Sequence, residues 1–197
     1  MAEIFFDKDA DLALLQDKTI GVIGYGNQGR AQALNLRDSG LKVIVGNQED
    51  DYAATARQDG FQVLPVGATV AQADVLLLLV PDEILPSLFT REIKPHLTQG
   101  KTLVFASGYN LYYRQVEPPP YVDVVMIAPR MIGTGVREGY LNGKGFPSLI
   151  SVEQDHSGQA LSMTLAVAMG IGSTKGGAFL SSCAEETICD LYNEHFG

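Results

Sequence analysis

The chain has 197 residues, enough for one substantial domain with a well-buried core. Hydrophobic residues make up 46% and charged residues 19%, the balance of an ordinary globular protein rather than a disordered one. A net charge of −9 with no Lys/Arg cluster argues against nucleic acid as a partner, and the longest apolar run, Val75 to Val80, is far too short to cross a membrane.

The N-terminus, Met1 to Asp7, lacks the basic start and apolar run of a secretory signal, so a cytoplasmic location is expected. Apolar, β-branched runs predict strands at 19–23, 42–45, 62–64, 75–80, 102–105, 122–127 and 148–152. Amphipathic stretches between them predict helices over 28–38, 51–58, 82–89 and 159–169. Gly40 and Gly60 stand just past two of these helices, where a C-terminal cap belongs. Glu117-Pro118-Pro119-Pro120 reads as a stiff loop before the sixth strand. From Ala184 to Glu194 the chain becomes helical again. The only cysteines, Cys183 and Cys189, have neither a redox nor a zinc spacing and read as reduced thiols.

Alternating strands and helices of this kind define an α/β chain of Rossmann type: a doubly wound, mostly parallel sheet with helices on both faces. No repeat or linker divides it. Residues 1–182 are expected to form the dinucleotide-binding domain, and 183–197 the start of a helical segment.

The loop Gly24-Tyr25-Gly26-Asn27-Gln28-Gly29 falls directly after a predicted strand and directly before a predicted helix. Gly24 allows the tight turn, Gly26 lets backbone approach a pyrophosphate, and Gly29 lets the helix pack close to the strand. The helix N-terminus then offers free N–H groups to the phosphates. About 20 residues further on, where such folds read the adenosine ribose, the chain has Asn47-Gln48-Glu49-Asp50-Asp51. A 2′-phosphate there would face three carboxylates, each contact costing on the order of 1–4 kcal/mol, whereas a ribose 2′-hydroxyl would find an acceptor. That favours NAD over NADP. The same acids also suit a plain role, capping the helix that starts near Asp51.

Glu186, Asp190 and Glu194 are spaced to share one helix face. Such a stripe is either solvated or holds a cation, and oxygen ligands suit Mg²⁺.

Several runs, taken together, resemble the ketol-acid reductoisomerase family. They are Phe6-Asp7-Lys8-Asp9-Ala10-Asp11-Leu12, the glycine loop, Ala33-Leu34-Asn35-Leu36-Arg37-Asp38-Ser39-Gly40 and Pro81-Asp82-Glu83. Val122-Asp123-Val124, Ala128-Pro129, Asp155-His156-Ser157-Gly158, Glu185-Glu186-Thr187 and Asp190-Leu191-Tyr192-Asn193-Glu194 follow in family order. The resemblance implies an enzyme of branched-chain amino acid synthesis. That family shifts an alkyl group within an acetohydroxy acid and reduces the product ketone with a nicotinamide hydride, using two Mg²⁺ ions. It implies Asp190 and Glu194 as metal ligands and, with the loop, a cofactor-binding set. That set is Gly24, Tyr25, Gly26, Asn27, Gln28, Gly29, Asn47, Gln48, Asp51, Val80, Pro81, Asp82 and Gly133.

Three departures stand out. The family's histidine is Ser107 here, in Ser107-Gly108-Tyr109-Asn110, and serine does not titrate near neutrality. The family's lysine is Arg130, which keeps the charge but hardly ever releases a proton. The family's second, all-helical domain has no counterpart in these residues. Ser107, Arg130, Asp190 and Glu194 are the expected catalytic positions, acting on a small-molecule substrate, with a homo-oligomer or a separate helical domain as possible partner. Three functions compete: a reductoisomerase completed by helical residues elsewhere, a divergent ketone reductase without isomerisation, and a non-catalytic dinucleotide-binding module.

Overall fold

The computed structural model describes residues 3–196, with side chains through Tyr192. Nine strands form one sheet: β1 (Ile4–Phe5), β2 (Thr19–Ile23), β3 (Lys42–Gly46), β4 (Gln62–Leu64), β5 (Val75–Leu78), β6 (Thr102–Phe105), β7 (Asp123–Pro129), β8 (Ser148–Gln154) and β9 (Ala178–Leu180). Their spatial order is β1-β9-β8-β7-β6-β5-β2-β3-β4. From β4 across to β7 every pairing is parallel; β8 runs antiparallel to β7, and β1 antiparallel to β9. The helices are α1 (Asn27–Asp38), α2 (Asp51–Gln58), α3 (Val66–Gln72), α4 (Leu85–Leu88), α5 (Tyr109–Tyr112), α6 (Gly133–Leu141), α7 (Ala160–Ile171) and α8 (Cys183–Phe196).

The central strands are apolar at nearly every position because both faces are covered. Along β5, Val75 and Leu77 point into the cluster under α1 and α7, with Leu36, Ala166 and Val167. Leu76 and Leu78 point the other way, into the cluster with Val70, Phe89 and Ile93. The same alternation sends Ile20 and Val22 of β2 to the first core and Ile23 to the second. Gly40 and Gly60 have positive φ, +83° and +90°, as capping positions after α1 and α2.

The sequence reading omitted α3, α5, α6, β1 and β9. α6 opens Gly133-Thr134-Gly135, a poor helix-forming start that packing against α1 overrides. β1 and β9, two and three residues long, carry too little alternation to register and exist as edge pairs. The expected helix over 82–89 begins only at Leu85 and continues through a wide turn, Phe89–Ile93.

Strand order reverses between β2 and β5, so the connections leaving those strands diverge. The crevice that opens beyond their carboxyl ends is where such sheets bind ligands.

Candidate functional site

The crevice is floored by loop 24–29. Gly24 has φ +91°, and a Cβ there would lie 2.7 Å from the Leu79 carbonyl oxygen and 2.8 Å from Val80 Cγ1. A Cβ on Gly29 would lie 2.1 Å from the Gly24 carbonyl oxygen, so only glycine lets α1 start this close to β2. At Gly26 the opposite holds: nothing lies within 4 Å of its would-be Cβ, and it is the N-cap of α1 with no side-chain cap. The first turn of α1 thus has no side-chain cap and has open space beside Gly26, the arrangement that takes a phosphate. A dinucleotide pyrophosphate fits this cradle.

Tyr25 serves the loop from beneath. Its side chain is buried, edge-on to Phe61 at 5.7 Å, and its hydroxyl donates to Asp59 at 2.9 Å. Burial, reinforced by the Asp59 carboxylate, pushes the phenol well above its ordinary range. Arg30 grips the same carboxylate at 2.7 and 3.1 Å and holds Asp59 below the usual carboxylate range against the effect of burial. Of Tyr25, then, the backbone faces the crevice while the ring anchors the loop. Gln28 donates to the Met131 carbonyl at 2.8 Å, and a Cβ on Gly133 would meet the Asn27 carbonyl at 2.2 Å. That contact brings Gly133 to the loop. A cavity of about 690 Å³ opens here, lined among others by Gly26, Asn27, Arg30, Tyr52, Gly133 and Thr134.

Past the end of β3, Asp50 caps α2: its Oδ1 accepts the Ala53 amide at 3.0 Å and the Asn47 side-chain amide at 2.8 Å. The Ala53 amide, chiefly, keeps its carboxyl below the usual range. Gln48 donates to its other oxygen at 3.2 Å. Glu49 is paired in two-pronged fashion with Arg57, one contact at 2.9 Å. The sequence reading set three carboxylates here against no basic group; α2 brings Arg57 back two turns to meet one of them. Asp51 remains exposed on the first turn.

The other half of the crevice is acidic. Asp82 follows β5, Ser107 follows β6 and Arg130 follows β7, so the parallel sheet delivers all three to one edge. Asn110 donates to Asp82 Oδ1 at 2.6 Å and to its carbonyl at 3.2 Å, while the Ser107 hydroxyl oxygen accepts the Tyr109 amide at 3.2 Å. Burial still raises the Asp82 carboxyl, with Glu83 and Asp190 adding to the effect. Glu186 on α8 is only 2% exposed; its Oε2 accepts the Gly108 amide at 2.8 Å. Burial raises its carboxyl too, opposed by that amide and by Arg130. Arg130 Nη1 stands 3.2 Å from Asp190 and 3.5 Å from Glu186. A second cavity, about 420 Å³, is lined by Asp82, Ser107, Asn110, Thr187 and Asp190 among others. Asn110 Oδ1 and Thr187 Oγ1, on two of those residues, are buried and have no hydrogen-bond partner among the described residues.

The structure thus gathers Gly24, Gly26, Gly29, Val80 and Gly133 around the loop, and Asp82, Ser107 and Asp190 around the second cavity, with Arg130 paired to Asp190. Pro81 sits between them, its carbonyl accepting the Ile84 and Leu85 amides. The side chain of Glu194 lies outside the described residues. Sequence reasoning missed Asn110, Arg30 and Asp59. Asn110 stood in the quoted run 107–110, but the Arg30–Asp59 pair, 29 residues apart, leaves no local signal.

A parallel sheet with an open phosphate cradle at its switch point defines a dinucleotide-binding α/β domain. Residues 14–177 match the family model described as acetohydroxy acid isomeroreductase, NADPH-binding domain. The chain belongs to this family, the ketol-acid reductoisomerases. It is 52% identical over 195 residues to the ketol-acid reductoisomerase (NADP(+)) of Pyrobaculum calidifontis, covering 98% of this chain and 60% of that protein. The enzyme of the same name from Petrotoga mobilis is 47% identical, with 98% and 59% covered. A solved NADH-preferring ketol-acid reductoisomerase from an uncultured archaeon superimposes with a TM-score of 0.95 at 41% identity, again over 98% of this chain and 60% of the other. The chain therefore spans about 60% of the length of the relatives it matches. No described helix is long and apolar enough to cross a membrane.

Proposed function

We propose that this chain holds a nicotinamide dinucleotide along loop 24–29 and presents it to a small carbonyl substrate, as the reducing part of a ketol-acid reductoisomerase-type enzyme. The observation that carries this reading is the open backbone at Gly26, on an uncapped helix N-terminus at the switch point of the sheet. When bound, the cofactor supplies a hydride. The first-turn amides of α1 hold the pyrophosphate, Asn47 and Gln48 meet the adenosine ribose, and Val80, Pro81 and Asp82 line the way to the second cavity. There Ser107 offers a donor to the substrate oxygen, with Arg130 beside it, held against Asp190. An always-charged guanidinium suits an oxygen that gains negative charge as the ketone is reduced.

NADH is the preferred form in this reading. Asp50 already fills the N-terminus of α2, the anion position a 2′-phosphate would use. Residues 1–182 make the dinucleotide domain, and α8 begins a helical segment. Exposed Tyr109, Tyr112 and Ile188, on α5 and α8, are where further helical residues would close the substrate cavity. The two free cysteines suit a reducing cytoplasm.

One observation favours reduction without isomerisation by this chain. Alkyl migration requires a carbonyl and a hydroxyl held between metal ions. Among the described residues no cluster of three ligand side chains could hold a metal ion, and both described carboxylates of the α8 stripe lean on Arg130. Mg²⁺-assisted migration would need carboxylates from the rest of the protein.

The test offers the purified chain NADH with a 2-keto-3-hydroxy acid and, separately, with an acetohydroxy acid and Mg²⁺. NADH oxidation with the first substrate alone is expected. Oxidation with the second overturns the restriction to reduction, and silence with both reduces the chain to a binding module.

A further inference from the structure

Tyr25 is the one non-glycine residue of loop 24–29 that is buried, and both of its neighbours are glycine. Glycine backbone has little stiffness of its own, so whatever holds the Tyr25 side chain sets where the opening at Gly26 stands. The holder is the corner that follows α2. There the Phe61 amide turns back to the Ala56 carbonyl at 3.0 Å, with Gly60 at φ +90° between them. This closed turn sets Asp59 against the Tyr25 hydroxyl at 2.9 Å and Phe61 edge-on to the Tyr25 ring.

Asp59 does more than hold a phenol. Its carboxylate also takes Arg30 of α1 at 2.7 and 3.1 Å, and its carbonyl takes Arg37 of the same helix at 2.6 Å. One acid therefore joins the loop, α1 and the end of α2. The eight residues of α2 form a rod about 12 Å long. Its first turn follows Asn47 and Gln48, which Asp50 holds, and its last turn leads into Asp59. A ligand that reaches from Gly26 to 47–48 gains affinity when the two are held at a fixed separation before it arrives.

We infer that Asp59 is a positioning residue for the dinucleotide: by holding Tyr25 and Arg30, its carboxylate fixes loop 24–29 relative to residues 47–48 at the start of α2. The inference rests on the reading of that loop as the pyrophosphate cradle. Asp59 acts on the cofactor only through Tyr25 and Arg30.

The sign of the effect makes the test sharp. Asp59→Asn removes a negative charge near an anion site, which by electrostatics alone favours NADH; lost positioning works the other way. In calorimetric titration, Asp59→Asn and Tyr25→Phe should each bind NADH at least about fivefold more weakly than wild type. The double variant should be no weaker than the weaker single one, because both act through one contact. Asp38→Asn serves as the control. It removes the same charge from a carboxylate paired to Arg37 and Arg137 at the far end of α1, and should stay within about twofold of wild type. Unchanged or tighter NADH binding in folded Asp59→Asn would overturn the inference. So would additive losses in the double variant, or an equal loss in Asp38→Asn. Should Asp59→Asn fail to fold, Tyr25→Phe, which keeps the buried ring, decides alone. A wild type that does not bind NADH is a separate result: it overturns the cradle reading, and this inference with it.

Discussion

At the end of the crevice beyond β3, Asp50 accepts the Ala53 amide and the Asn47 side chain, so the first turn of α2 carries its negative charge within the chain. Removing that carboxylate has two consequences that separate cleanly. Asp50→Ala should lower stability by about 1 kcal/mol, the usual effect of losing a helix cap, measured by urea unfolding. It should also raise NADPH affinity relative to NADH at least several-fold, because the vacated amides are free to meet a 2′-phosphate. If the NADH-to-NADPH ratio stays where it was, Asp50 is a cap and nothing more. The sequence reading offered capping to the acids 49–51 as a group, and in the structure it is Asp50 that caps α2. That reading could not place Arg57 against Glu49, eight residues back, because that pairing follows from how α2 lies on its loop. Tyr25 shows the same limit. Its position in the glycine loop marked it for the cofactor, yet the side chain turns inward to Asp59, a partner 34 residues away.

Among the elements, α8 is the one whose attachment bears on function. Its acidic spacing was legible as a stripe, but the counter-charge was not, since Arg130 comes from the end of β7, 60 residues from Asp190. Burial of Glu186 was equally invisible, as spacing alone gives a solvated face. The Gly108 amide and Arg130 both reach α8 through this one carboxylate. Glu186→Ala leaves the Gly108 amide unsatisfied and removes one of the two acids on Arg130. Amides of α8 should then exchange hydrogen about tenfold faster, while those of β2 and β5 keep their protection. Equal acceleration across the sheet would mean that α8 is part of the global folding unit and not held through Glu186. α6 was missed for a related reason: Gly133 and Gly135 argue against a helix locally, and packing against α1 supplies stability that the local sequence lacks.

Across the whole molecule, the sheet explains why so much was readable and why the remainder was not. Strands buried on both faces are written as continuous apolar runs, so seven of nine were found in sequence, and β1 and β9 escaped as short edge pairs. The mostly parallel direction was readable as well, but not the exception: β8 continues the pattern of its neighbours yet runs against β7. The glycine loop was legible because each glycine answers a local geometric demand, whereas the second cavity is assembled from the segments that follow β5 and β6 together with α8, far apart in the chain. What unites these parts is a crevice whose first half is built for a dinucleotide. Gly26 has φ −71°, a value open to any residue, and its would-be Cβ meets no protein atom within 4 Å. Valine at that position should therefore fold normally while filling the space the pyrophosphate needs. The decisive measurement is calorimetric titration of NADH into wild type and Gly26→Val, each checked for an unchanged melting temperature. The account predicts a clear binding isotherm for wild type and at least about a tenfold loss of affinity in the variant. Equal NADH affinity in the two folded proteins would contradict it, for the cofactor would then have to lie somewhere other than this loop.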